Sequence, residues 1–288
     1  MSIAARIEQT LADAVDNARG PGCPPKLASA LHYCVFPGGH RIRPQLCLAV
    51  AQACGDADPA SADAAAAAIE LLHCASLAHD DLPCFDDAAL RRGKPSAHAE
   101  YGAPIAVLAG DALIVLAFQT LAGAACAPQR LAKLVSIVAA GVGAPHGIVA
   151  GQAWECESAV PLADYQRAKT GALFVAATAA GAAAAGADAA QWATLGAKLG
   201  EAYQVADDLR DVLCDEAELG KPIGQDAARF RPNAAAQLGV ATAKEHLAAL
   251  LLSAIESIPP CPGAPELRAL IQAQTAQFFP ERPARAAA

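Results

Sequence analysis

Two short stretches, Asp80-Asp81-Leu82-Pro83-Cys84-Phe85-Asp86 and Asp207-Asp208-Leu209-Arg210-Asp211, concentrate carboxylates in a way that surface solvation alone does not require. Asp207 and Asp211 are four residues apart. On a continuous helix they share a face with Cβ atoms about 5–6 Å apart, where like charges repel. The spacing from Asp80 to Asp86 does not suit a straight helix, and Pro83 predicts that the helix bends or ends there and that Asp86 returns from a loop. The carboxyl end of a helix already carries partial negative charge, so several aspartates there need a cation. Magnesium is the natural candidate, a hard ion that takes oxygen ligands and is shared between one or two carboxylates and phosphate groups. Solvated acidic surface competes with this reading for either cluster alone. Two clusters, each ending an apolar helix and each followed by cations, favour the metal.

Those cations are Arg91-Arg92-Gly93-Lys94 after the first cluster and Lys221 and Arg231 after the second. A third basic patch is Gly38-Gly39-His40-Arg41-Ile42-Arg43-Pro44. Its glycines could expose backbone amides in a turn and its arginines could grip phosphate oxygens bidentately, although Gly-Gly before a basic segment is more often only a loop.

The elements that must position these groups are helices. Apolar residues recur at three-and-four spacing through most of the chain, and alternating strand-like runs are nearly absent. The reading is all-α, with helices over about 3–17, 26–35, 43–54, 60–79, 104–123, 130–141, 145–156, 163–186, 189–213, 234–256 and 264–278. Gly/Pro punctuation at 21–25, 37–39 and 259–263 is too short for a linker, so residues 1–288 are read as one domain. The two acidic clusters lie about half a chain apart, which suggests facing helices in a single bundle around a central cavity, the arrangement in which bundles build metal sites.

Composition narrows the function. With 55% hydrophobic residues the chain can bury a substantial core, and a net charge of −8 without any Lys/Arg block argues against nucleic acid as a partner. The ten cysteines show no CxxC pair and read as small buried residues rather than a disulfide framework. The first residues lack the basic start and apolar core of a signal peptide, so a cytoplasmic location is the expectation. The apolar stretch Gly102–Cys126 is interrupted by Asp111 and Gln119 and reads as a buried core helix, not an integral membrane span. The run 176–190, almost all Ala and Gly, reads as helix that packs closely.

Several long motifs in order carry a resemblance: His73-Cys74-Ala75-Ser76-Leu77-Ala78-His79-Asp80-Asp81-Leu82-Pro83, Leu90-Arg91-Arg92-Gly93-Lys94-Pro95, Ala109-Gly110-Asp111-Ala112-Leu113, Lys169-Thr170-Gly171 and Tyr203-Gln204-Val205-Ala206-Asp207-Asp208. Over most of its length the chain resembles the trans-prenyltransferases of the polyprenyl diphosphate synthase family, in detail the bacterial carotenoid-pathway geranylgeranyl diphosphate synthases. The resemblance implies the isoprenoid synthase fold, a homodimer and a magnesium-dependent condensation of isopentenyl diphosphate with dimethylallyl, geranyl or farnesyl diphosphate. It implies that Asp80, Asp86 and Asp207 lead the magnesium coordination, with Asp81, Asp208 and Asp211 supporting. Arg91, Lys169, Thr170, Gln204 and Lys221 would contact the allylic diphosphate, and Arg43, His73 and Arg92 the isopentenyl diphosphate. Among these, the aspartates, Arg91 and Lys169 would carry the catalysis. His40 stands where the family usually has lysine, Arg231 where a late lysine is common, and Glu155 where aspartate is the commoner acid. Lysine is a permanent point charge whereas histidine titrates near neutrality, so weaker or more pH-dependent isopentenyl diphosphate binding would follow.

Farnesyl-making relatives commonly place a bulky aromatic five residues before the first motif aspartate. Here that residue is Ala75, followed by Ser76, and small side chains permit a longer product, geranylgeranyl diphosphate. Helix-packing alanine is the plain alternative. Other readings remain open: a farnesyl or longer-chain synthase, a terpene cyclase (which would need no second diphosphate site) or a non-catalytic prenyltransferase subunit.

Overall fold

A computed structural model describes residues 1–36, 38–213 and 239–275. The fold is all-α, as the periodicity predicts. Its helices are α1 (Ile3–Ala18), α2 (Pro25–Val35), α3 (Ile42–Ala53), α4 (Pro59–Asp80), α5 (Ala97–Tyr101), α6 (Ala103–Ala122), α7 (Pro128–Val142), α8 (Ile148–Ala153), α9 (Leu162–Gln166), α10 (Ala172–Ala184), α11 (Ala193–Leu213), α12 (Val240–Glu256) and α13 (Ala264–Thr275).

The centre is α4. Proline at its first position suits a helix start, and Asp58 caps it by accepting hydrogen bonds from the Ser61 amide (3.2 Å) and hydroxyl (2.7 Å). The same Asp58 carboxylate takes Arg130 Nη1 at 2.6 Å, which ties the start of α4 to α7. Ala64 to Leu72 are all buried, so α4 is covered on every side by α3, α6, α7 and α10. Alanine does most of this packing: from Ala176 to Ala184 along α10 every residue is buried, and the small side chains let neighbouring axes approach closely. Leucines supply the larger apolar burial, including Leu46, Leu71, Leu113 and Leu134, each worth roughly 1.5–3 kcal/mol when fully buried. The amino-terminal helix is anchored by charge, with Arg6 bonded to Asp63 at 2.8 Å and to Asp56 at 2.9 Å.

Three features differ from the sequence reading. First, Leu90–Arg91 and Lys94–Pro95 form a two-stranded antiparallel hairpin, β1 and β2, with Arg91 opposite Lys94. Its two-residue turn, Arg92-Gly93, has φ +55° and +74°, the left-handed pair that matches strand twist. Strands of two residues are too short to leave an alternating pattern. Second, α6 is not buried all round. A stripe of small and apolar residues (Ala106, Ala109, Gly110, Leu113, Ala117) packs inward, while Val107, Leu108 and Val115 are 39%, 51% and 56% exposed. Apolar composition alone does not distinguish a core helix from one with an open apolar face. Third, only Cys47 and Cys74 are buried among the described cysteines, and Cys84 and Cys156 are exposed; all nine are free thiols.

Candidate active site

Helix α4 ends at Asp80, and Pro83 in the following turn prevents its continuation. The turn then doubles back: the Asp86 amide donates to the Asp80 carbonyl at 2.9 Å and the Ala88 amide to the Asp81 carbonyl at 3.2 Å. Asp86 thereby returns to Asp80, as its spacing predicted. A third acid joins them. Glu155, on the 3-10 turn Trp154–Cys156 that follows α8, brings a carboxylate oxygen to within 4.8 Å of one from each of Asp80 and Asp86. Three hard oxygen donors converging in this way fit a magnesium ion, which accepts few protein carboxylates and fills its octahedron with water and phosphate oxygens.

Lys169 answers this charge, its Nζ lying 3.2 Å from Asp80 Oδ1 and 2.5 Å from Glu155 Oε1. Tyr165 donates its hydroxyl to Glu155 at 2.7 Å, and Gln152 its amide at 3.1 Å. The backbone at Lys169 is a π-turn, Arg167–Gly171, inserted between α9 and α10. Such single-turn insertions are rare and concentrate at functional sites. Here the turn sends consecutive residues to opposite acidic clusters. Lys169 meets Asp80, while Thr170 donates to Gln204 Oε1 at 2.8 Å and Gln204 Nε2 in turn reaches Asp208 Oδ1 at 3.0 Å on α11. Gly151 on α8 makes this possible, because a Cβ there would lie 2.3 Å from the Lys169 backbone nitrogen.

The carboxylates are therefore not equivalent. Asp81 is 2% exposed and is held by Arg91, whose Nε donates to both of its oxygens at 3.0 and 3.1 Å and whose Nη2 bonds it as well; Arg91 Nη2 is 3.8 Å from Asp80. Asp208, also 2% exposed, faces the Gln204 side of α11. Asp207 and Asp211 lie one turn apart on the less buried face of the same helix.

A second half of the site contains cations. Arg43, in the first turn of α3, stacks its guanidinium 4.7 Å from the Phe174 ring and 5.5 Å from the Tyr203 ring, and places Nη1 3.5 Å from His73 Nε2. Burial pulls the Arg43 guanidinium down from the ordinary arginine value, and its Nε has no protein partner among the described residues. Burial likewise holds the His73 imidazole well below its usual value, reinforced by Arg43, Arg92 and Arg91. This region is electrically ready for an anion. Arg92 is exposed on the hairpin turn and lies over Gly39, and His40 is exposed nearby in sequence. Lys221 and Arg231 lie outside the described residues.

Between the two halves opens a cavity of about 470 Å³, with Asp80, Lys169 and Arg43 at its polar part and Ala75, Ile114 and Val142 among its apolar walls. Ala75 is 1% exposed and Ser76 lines the same space. Sequence reasoning missed the convergence of Glu155 with Asp80 and Asp86, and the Tyr165, Phe174 and Tyr203 contacts. The only signal was the acid at the end of Gly151-Gln152-Ala153-Trp154-Glu155. It also read Arg41 as a phosphate grip, whereas Arg41 is buried and bonded to Glu8 and Glu70.

The polyprenyl synthetase family profile matches residues 24–264. The chain belongs to the polyprenyl synthetase family. Geranylgeranyl diphosphate synthase of Cereibacter sphaeroides is 55% identical over 281 residues, covering 97% of this chain and 98% of that protein. The enzyme of the same name from Rhodobacter capsulatus is 54% identical, covering 94% of both chains. Among solved structures, a geranyltransferase from Helicobacter pylori complexed with magnesium and isoprenyl diphosphate superposes with a TM-score of 0.82 at 30% identity over 96% of each chain. This polyprenyl synthetase thus shares with them the isoprenoid synthase fold.

The buried His73 yields a prediction about stability. Its folded value lies below the ordinary 6.5, so on acidification the unfolded chain takes up the proton first and stability is lost as pH falls below about 6.5. Replacing His73 by Gln removes that proton uptake. Melting temperatures of the two proteins measured from pH 8 to pH 5 should shift in favour of His73→Gln toward the acid end; a gap independent of pH would contradict the assignment.

Proposed function

We infer that this chain is a magnesium-dependent trans-prenyltransferase that extends allylic diphosphates with isopentenyl diphosphate and makes geranylgeranyl diphosphate. The observation that carries the reading is the meeting, at one apolar cavity, of an acidic half built on Asp80, Asp86, Glu155 and Lys169 with a half built on the Arg43 cation and the His73 imidazole beside it. Two differently charged halves suit two diphosphates bound in different ways.

Asp80 at the end of α4 and Asp86 in the turn that follows would hold the metal from one side, and Asp207 and Asp211 on α11 from the other. Magnesium held by these residues would supply charge neutralisation for a departing diphosphate, the chemistry that favours ionisation of the allylic C–O bond. Lys169, Thr170 and Gln204 orient the allylic diphosphate, with Lys169 beside Asp80 and Arg91, held by Asp81, bringing Nη2 to 3.8 Å from Asp80. Arg43, His73 and Arg92 fix the isopentenyl diphosphate so that its double bond faces the allylic carbon that loses the diphosphate, which converts a bimolecular encounter into an oriented one. Attack forms the new C–C bond, and loss of a proton, with the diphosphate as base, leaves an allylic diphosphate five carbons longer. The apolar walls exclude water from the cationic intermediate.

Product length follows from the depth available before a side chain blocks the tail, about 5.4 Å per helical turn. With isopentenyl diphosphate, an allylic starter and magnesium, the expected main product is the twenty-carbon diphosphate. Ala75→Tyr, which fills the cavity wall five residues before Asp80 on α4, should shift it to fifteen carbons on chromatography; an unchanged product from the variant would remove Ala75 from this role.

A homodimer belongs to the same proposal, because the open face of α6 exposes Val107, Leu108 and Val115 and a second copy would bury them. Val115→Glu should lower the mass measured by light scattering toward that of one chain, and an unchanged mass would argue against this face.

A further inference from the structure

Arg41, which ends the glycine-rich loop, and Arg43, in the first turn of α3, make different contacts. Arg43 enters the cavity, and Arg41, 6% exposed, turns inward beneath the loop. Arg41 Nε donates to Glu8 Oε1 on α1 at 2.8 Å, Nη1 to Glu70 Oε1 on α4 at 2.8 Å, and Nη2 to the Val35 carbonyl at the end of α2 at 2.9 Å. The loop closes over this guanidinium. The Phe36 ring lies 5.7 Å from it, and a Cβ on Gly38 would come within 2.1 Å of its carbon, so the backbone there rests directly on the arginine. Arg41 itself adopts φ +51°, a left-handed conformation that a non-glycine residue keeps only when its surroundings hold it. Two residues later stands Arg43, and beside the loop Gly39 carries Arg92.

We propose that Arg41, clamped between Glu8 and Glu70, is a positioning residue for the isopentenyl half of the site: it fixes the loop that aims Arg43 and seats Arg92, and through Glu8 it makes the amino-terminal helix part of that half. The inference rests on the assignment of Arg43, His73 and Arg92 to isopentenyl diphosphate. Glu70 lies one turn before His73 and Cys74 on α4, so the clamp sets the loop against the same helix that supplies His73. The allylic residues Lys169, Thr170 and Gln204 stand on the π-turn and α11 and do not touch it. Lysine in place of Arg41 keeps a charge but loses the planar fork that bridges three partners.

The test is steady-state kinetics on the full-length enzyme with each substrate varied in turn. In Arg41→Lys the Michaelis constant for isopentenyl diphosphate should rise about ten-fold while that for farnesyl diphosphate stays within about two-fold. Glu8→Gln, at the half-exposed end of the clamp, should shift the same constant in the same direction by about three-fold, and it serves where Arg41→Lys does not fold. Equal rises for both substrates, or no rise in a folded variant, would overturn the proposal. Arg43→Gln run alongside separates the causes: if it raises the isopentenyl constant and the clamp variants do not, the positioning role fails alone; if it does not, the assignment of this half to isopentenyl diphosphate fails with it.

Discussion

Carboxylates crowded together or buried in a core need cations to answer them, and those cations organise this molecule. Lys169 comes from 89 residues away to lie between Asp80 and Glu155, Arg91 bends back over Asp81, Arg41 joins Glu8 to Glu70, and Arg6 reaches Asp56 and Asp63 from 50 and 57 residues away. Buried ion pairs of this kind add little net stability, because desolvation offsets most of the attraction. Their effect is geometric: each fixes one segment against another, and a lost partner leaves a charge stranded. The alanine-rich core supplies the closeness and the ion pairs supply the register.

The two halves of the site use that framework differently. On the acidic side Asp80, Asp86 and Glu155 converge and Lys169 stands among them, a balance that a divalent ion and a phosphate group can exchange into. On the other side Arg43 is stacked on two aromatic rings and His73 is kept neutral by burial and by neighbouring guanidiniums, so an incoming diphosphate relieves a cost already present. The π-turn at 167–171 holds the acidic side together, with Lys169 facing α4 and Thr170 facing α11.

Much of this is legible in the amino-acid sequence. Three-and-four periodicity placed the long helices, and Pro83 within the first acidic cluster foretold both the end of α4 and the return of Asp86. What escaped has physical reasons. The hairpin at 90–95 is too short to alternate, and the π-turn leaves no mark in residue type. Glu155 is far from Asp80 in sequence, so its contact depends on how α8 packs on the backbone of Lys169. A basic patch records charge without direction, which is why Arg41 read as a phosphate grip although its partners lie below the loop. The long apolar run of α6 gave the helix but not which of its faces stays open. Lys221 and Arg231 lie outside the described residues.

The central claim is that one diphosphate is held through metal and carboxylates and the other through protein cations. Titration calorimetry tests it directly, using a non-ionising thio analogue of an allylic diphosphate and, separately, isopentenyl diphosphate, each with magnesium and with EDTA. The account predicts that EDTA abolishes binding of the allylic analogue and leaves measurable binding of isopentenyl diphosphate. Equal loss of both in EDTA, or equal retention of both, would contradict it.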